Sequence, residues 1–266
     1  DSFTHGSCVP AGRTMAAHVR KRYPATLNLG MSGNGPLLML ASLREYLPAL
    51  KPRAVLWFYW EGNDLRDLGK ERKRPVLMRY LRRDIDQDLV HQQAEIDQAL
   101  KQSFRDPVAG TAKRPRFEVS PSLADILLLR NIRYSLRLLA GMARQAQSYR
   151  YPRPPEAVFD LLPRILARAR DTVEAWGGKF YFVYLPGWHV ADVAAGGRNP
   201  NNPDRQRVLG IVNKLEIPII DLYPVFRREP DPGTLMYGFN SHYTDKGYRI
   251  AAETAIAAIA PALDPK

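Results

Sequence analysis

Three apolar runs constrain what this chain can fold into more than anything else in it: AVLWFYW (54–60), KFYFVYLP (179–186) and IPIIDLY (217–223). A strand with one wet face alternates apolar and polar residues, whereas a continuous apolar run suits a strand buried on both faces. Helical segments separate the runs. GPLLMLASLREYLPAL (35–50) puts Leu37, Leu40, Leu43 and Leu47 at helical spacing, and AVFDLLPRILARARDTVEAWGG (157–178) is helical up to a terminating glycine pair. DRQRVLGIVNKLE (204–216) and DKGYRIAAETAIAAIAPAL (245–263) are further helices, and ATLNLG (25–30) reads as a short strand ending on glycine. Strands alternating with helices imply parallel pairing through crossovers, hence a doubly wound α/β domain. In such sheets ligands bind beyond the carboxyl ends of the strands.

The 266 residues suit one large domain, or one domain carrying an insertion. Residues 65–157 break the alternation and read as that insertion, with helices expected over 76–102 and 122–146. This stretch has 19 Lys and Arg against 11 Asp and Glu, an excess of eight within the chain's net +12. Along 122–146, Ile126, Leu129, Ile132, Leu136, Leu139 and Met142 form an apolar stripe flanked by Arg130, Arg133, Arg137 and Arg144. The stripe fits a helix packed on a core with solvated arginines; it also fits a basic surface for an anionic polymer or a membrane interface. The positive charge favours anionic partners, but no nucleic-acid recognition motif accompanies it, so specific nucleic-acid binding is not expected. No run of 18 apolar residues offers a membrane span. The lone Cys8 excludes an intrachain disulfide. Five histidines without ligand spacing make no case for a metal, and no cofactor is called for.

Short polar stretches stand where the strands end. DSFTHG (1–6) is a turn-forming cluster, and a strand is expected to lead into Asp1 from residues upstream. NLGMSGNG (28–35) follows the strand expected at 25–30, EGND (61–64) follows 54–60, and NSHYTDKGY (240–248) follows the last strand. A serine, glycine-rich amides, an asparagine and a histidine therefore converge on one edge of the sheet.

These four stretches, in this order, resemble the blocks of the SGNH (GDSL-type) hydrolase superfamily. Asp1-Ser2 matches the first block, with its leading glycine expected upstream; Gly33 matches the second, Gly62-Asn63-Asp64 the third, and His242 with Gly247 the fifth. The likeness covers the α/β core and not residues 65–157. It implies a three-layer α/β/α sandwich around a parallel, flavodoxin-like sheet. It also implies Ser2 as nucleophile, His242 as base, and an oxyanion hole from the backbone N–H groups of Ser2 and Gly33 with the Asn63 side-chain amide. Each role has a chemical reason: a serine hydroxyl attacks an ester only once a base takes its proton, and an imidazole titrates near neutrality.

The family places an aspartate two or three residues before the histidine, where this chain has Asn240 and Phe239. Asn240 can accept a hydrogen bond from the imidazole but cannot balance its charge. That leaves a Ser2–His242 pair oriented by Asn240 or a backbone carbonyl, a carboxylate from elsewhere (Asp231 or Glu61), or a weakened enzyme. His5, Trp188 and His189 are candidates for contact with substrate; Asp64 is expected to stabilise its loop, and His18 and His91 to be structural. The histidine block, with a polar residue two positions before and an aromatic after, also resembles branches that include acetyltransferases of exported polysaccharides. The expectation is a serine esterase that removes a small acyl group, an O-acetyl on a carbohydrate, through an acyl-Ser2 intermediate. The alternatives are acyl transfer to a glycan hydroxyl, a non-catalytic module that binds acidic glycans, and a lipase or lysophospholipase.

Overall fold

The computed structural model describes residues 1–82, 85, 87–105, 154–187, 203–238 and 241–264. The chain divides into two units, residues 1–90 with 154–266, and residues 91–153. In the first unit the three apolar runs pair side by side. β1 (Ala54–Trp60), β2 (Lys179–Leu185) and β3 (Ile219–Asp221) make an all-parallel open sheet in the order β1-β2-β3. Ala54 pairs with Lys179 and Trp60 with Leu185; Phe182 pairs with Ile219 and Tyr184 with Asp221. The carboxyl ends of the strands therefore lie in line.

Helices α1 (Ser2–His5), α2 (Met15–Arg20), α3 (Pro36–Tyr46), α4 (Asp64–Glu71) and α5 (Pro75–Arg79) belong to the first unit. So do α7 (Glu156–Glu174), α8 (Pro203–Lys214), α9 (Tyr223–Arg227) and α10 (Asp245–Leu263), whereas α6 (Gln93–Arg105) lies in the second. Side chains alternate across the sheet. Trp57, Tyr59, Phe180, Phe182 and Tyr184 pack with Leu37 and Leu40 of α3, Leu162 and Ile165 of α7, and Val208 and Val212 of α8. Phe58, Tyr181, Val183 and Leu185 pack with Met15 and Val19 of α2, Phe226 of α9, and Ala251 and Ala252 of α10. Both faces of β1 and β2 are thus covered, which is why their sequences carry no polar alternation. Each such side chain contributes roughly 1.5–3 kcal/mol on burial.

Three expectations need correction. Residues 25–30 form no strand. They line, together with Ala54–Phe58 of β1, a cavity of about 820 Å³, and they pair with no strand among the described residues. The Asn28 side chain engages that backbone instead, donating to Thr4 O at 2.8 Å and accepting from Gly30 N at 2.9 Å. The strand expected at 217–223 is confined to Ile219–Asp221, because Asp221 accepts from Tyr223 N at 3.0 Å and turns the chain into α9. The single helix expected over 76–102 is interrupted between α5 and α6. Buried Glu45 of α3 takes the backbone N–H groups of Gln87 (2.6 Å) and Leu89 (3.0 Å), so those groups cannot serve a helix. Leu65, Leu68, Leu77 and Tyr80 join the core of the first unit. The helix expected over 122–146 lies outside the described residues, and no helix among those described is long and apolar enough to cross a membrane.

Candidate active site

The site begins with the turn at Asp1. Its carboxylate caps α1, accepting from Phe3 N at 2.9 Å, so Ser2 opens a one-turn helix. Gly6 ends that turn with φ +92, and a Cβ there would stand 2.3 Å from Thr14 Cγ2, so both backbone and space require glycine. The chain then folds back, with Ser7 N donating to Ser2 O at 3.1 Å. Phe3, only 1% exposed, anchors the turn. Its ring stacks on Trp60 at the end of β1 (4.4 Å), meets Tyr243 edge-on (4.8 Å), and lies 4.7 Å from the His242 ring.

His242 comes from the segment before α10. An antiparallel bridge pairs Met236 with Tyr243, and Tyr237 N donates to His242 O at 3.0 Å. Buried Tyr243 fastens the segment to the sheet edge by donating to Pro186 O at 2.7 Å, just after β2. Thr244 then caps α10. These constraints bring His242 Nε2 within 2.9 Å of Ser2 Oγ, across 240 positions of sequence. That is the reach a general base needs. Burial lowers the pKa of His242 from its ordinary value, which favours the neutral imidazole that can accept a proton. On the other side of the ring, Nδ1 faces Cys8 Sγ at 3.3 Å.

The two carboxylates considered as a substitute acid have other partners. Asp231 Oδ1 accepts from Gly233 N at 3.1 Å, and Glu61 is taken up by the Tyr184 hydroxyl and Gly187 N. Asn240, Trp188 and His189 lie outside the described residues.

The two other oxyanion candidates stand on loops tied to the same edge. Asn63 is the residue before α4, and its Oδ1 is buried without a partner. Gly62 must be glycine because a Cβ would strike the Trp60 ring at 2.4 Å. Gly33 has φ +83 in a turn closed by Asn34 N to Met31 O at 3.2 Å. Glu71 of α4 accepts from Gly35 N (2.6 Å) and Leu37 N (2.9 Å), fastening the Gly33 loop to the helix that follows Asn63. Among the described residues, neither Gly33 nor Asn63 is hydrogen-bonded to Ser2 or His242. Fully buried Asp64 accepts from Trp60 N at 3.1 Å, and burial raises its pKa to about 8. Its bond to Trp60 N spans the turn from β1 into α4.

His5 is exposed at the end of α1, beside Gly30, and its side chain makes no bond into the site among the described residues. His18 is structural: its Nε2 lies 3.3 Å from Asp245 Oδ1. His91 is exposed in the second unit. Sequence reasoning missed Phe3 and Cys8 as neighbours of His242, since only the tertiary fold brings residues 3 and 8 to residue 242. The large cavity is lined by Asp1 and Thr4 but by neither Ser2 nor His242, so it is not where this pair would act. Among the described residues no group of three or more His, Cys, Asp or Glu is placed to hold a metal. No protein-family model, curated protein or solved structure matches this chain.

Proposed function

We propose that this protein is a serine esterase of the SGNH type, with the described sheet and helices as the core of a three-layer α/β/α sandwich. The observation that carries the reading is the 2.9 Å approach of Ser2 Oγ to His242 Nε2, between two segments singled out by sequence for these roles. Nε2 takes the hydroxyl proton as Oγ attacks the ester carbonyl. The oxyanion then forms against the Ser2 and Gly33 N–H groups and the Asn63 amide, where one donor is worth roughly 10²–10³ in kcat. As the tetrahedral intermediate collapses, His242 returns the proton to the departing alcohol, and water repeats the sequence on the acyl-enzyme.

A bulky, solvated alcohol fits the surroundings. Cys8, His5 and Gly33 are exposed, and Tyr237, whose N–H bonds the His242 carbonyl, is 56% exposed and offers a ring to a sugar face. This favours a small acyl group on a carbohydrate, an O-acetyl ester, over a lipid that must be withdrawn from water. Hydrolysis of an acetylated oligosaccharide, run with and without an unacetylated acceptor, tests the reading. Acetate release that depends on Ser2 supports the esterase. Acetyl appearing on the acceptor would assign transferase activity, and tight binding without turnover would assign a non-catalytic module.

A further inference from the structure

The chemistry just described needs His242 in one tautomer, and the inference here rests on that reading. For Nε2 to take the Ser2 proton it must be unprotonated, so the neutral ring must carry its hydrogen on Nδ1. That hydrogen needs an acceptor, and among the described residues the atom facing Nδ1 is Cys8 Sγ at 3.3 Å. We propose that Cys8 is the positioning residue of the Ser2–His242 pair: its sulfur accepts the Nδ1–H hydrogen bond and so keeps Nε2 open to Ser2.

The backbone delivers Cys8 to that place. After the left-handed Gly6, Cys8 itself adopts φ +72, a conformation uncommon outside glycine. Ser7 O accepts from Tyr248 Oη at 3.0 Å, which fastens this loop to α10, the helix that follows His242. The seven residues from Ser2 to Cys8 thus supply the group at Nε2, the aromatic platform Phe3, and the group at Nδ1. The titratable groups around this contact include Tyr243 against Phe3, and Tyr248, on which both Cys8 and Tyr237 act. Burial accounts for the lowered His242 pKa.

Sulfur differs from a carboxylate in one respect that can be measured. A thiol is a weak acceptor and also a weak donor, whereas a carboxylate only accepts. A thiol that donated to Nδ1 would force the hydrogen onto Nε2 and close the ring to Ser2. No proton moves to Cys8 in the proposed step: the Ser2 O–H bond breaks, Nε2–H and the Oγ–acyl bond form, and Nδ1–H stays intact.

The experiment measures the ¹⁵N imidazole shifts of His242, assigned with His242→Gln, and the rate at which a fluorophosphonate labels Ser2. Wild type is compared with Cys8→Ala, Cys8→Ser and Cys8→Asp, each checked for an unchanged urea midpoint. All three carry a Cβ at the same φ, and Asp tolerates the left-handed region well. Wild type is expected in the Nδ1–H tautomer. Cys8→Ala should mix in the Nε2–H form and label about 10-fold more slowly, the effect of losing one neutral hydrogen bond. Cys8→Asp should restore Nδ1–H and label at least as fast as wild type, and Cys8→Ser should fall between. A wild-type ring in the Nε2–H tautomer overturns the proposal. So does a Cys8→Ala variant unchanged in both readouts, or Cys8→Asp as slow as Cys8→Ala. If Ser2 resists labelling while the tautomer still shifts in Cys8→Ala, the esterase reading fails and the Cys8–His242 contact stands.

Discussion

Replacing Asp64 with asparagine should change how stability depends on pH. Asp64 is fully buried at the β1–α4 junction, where Oδ2 accepts from Trp60 N and Oδ1 has no partner. Burial raises its pKa from 3.8 to about 8, partly offset by the Trp60 N–H. Between about pH 4 and 8 the unfolded chain therefore ionises at this position while the folded chain keeps the proton. The folded state loses ground by about 1.4 kcal/mol per pH unit over that window. The Asp64→Asn variant keeps an acceptor for Trp60 N and has no proton to lose. Its amide nitrogen inherits the unpartnered position at a cost of about 1–3 kcal/mol, but that cost does not vary with pH. Urea unfolding followed by tryptophan fluorescence at pH 5, 6, 7 and 8 reads the difference. The variant should gain on wild type by about 4 kcal/mol from pH 5 to 8, a large share of the roughly 5–15 kcal/mol typical of a domain. A gap that stays constant within about 0.5 kcal/mol would show that Asp64 ionises normally in the folded protein and would refute the reasoning.

Two further outcomes follow from the site. Phe3→Ala removes a buried ring from between Trp60, Tyr243 and His242, and should cost about 3–5 kcal/mol in urea unfolding; a loss under about 1 kcal/mol would mean the turn is held by its backbone alone. Because burial lowers the His242 pKa, the proton-accepting imidazole persists to lower pH than usual. The acid limb of kcat/KM on a chromogenic acetate should therefore fall below the ordinary histidine value of about 6.5, and activity should decline as pH drops through it. A limb above that value would point to a carboxylate beside the ring.

The parallel core was legible because β1 and β2 are apolar at nearly every position, and only burial on both faces explains such runs. Residues 25–30 show the limit of the method. Their pattern suits a strand, but a strand exists only through a hydrogen-bonded neighbour, and Asn28 spends its side chain on Thr4 and Gly30 instead. The break between α5 and α6 depends on a glutamate more than 40 positions away, which draws in the amides of Gln87 and Leu89. Ser2 and His242 were singled out because their flanking residues resemble an ordered set of blocks, and the fold sets the two side chains 2.9 Å apart. Phe3 and Cys8 carried no local signal, since their contacts with the imidazole exist only through the fold that sets it beside them.

The most direct test of the central claim is hydrolysis of a chromogenic acetate ester by wild type and by Ser2→Ala. The account predicts turnover by the wild type and, in the variant, a loss of at least about 10³-fold with the urea midpoint unchanged. Equal rates in the two proteins, or no turnover by a correctly folded wild type, would contradict the assignment of Ser2 as the nucleophile of an esterase.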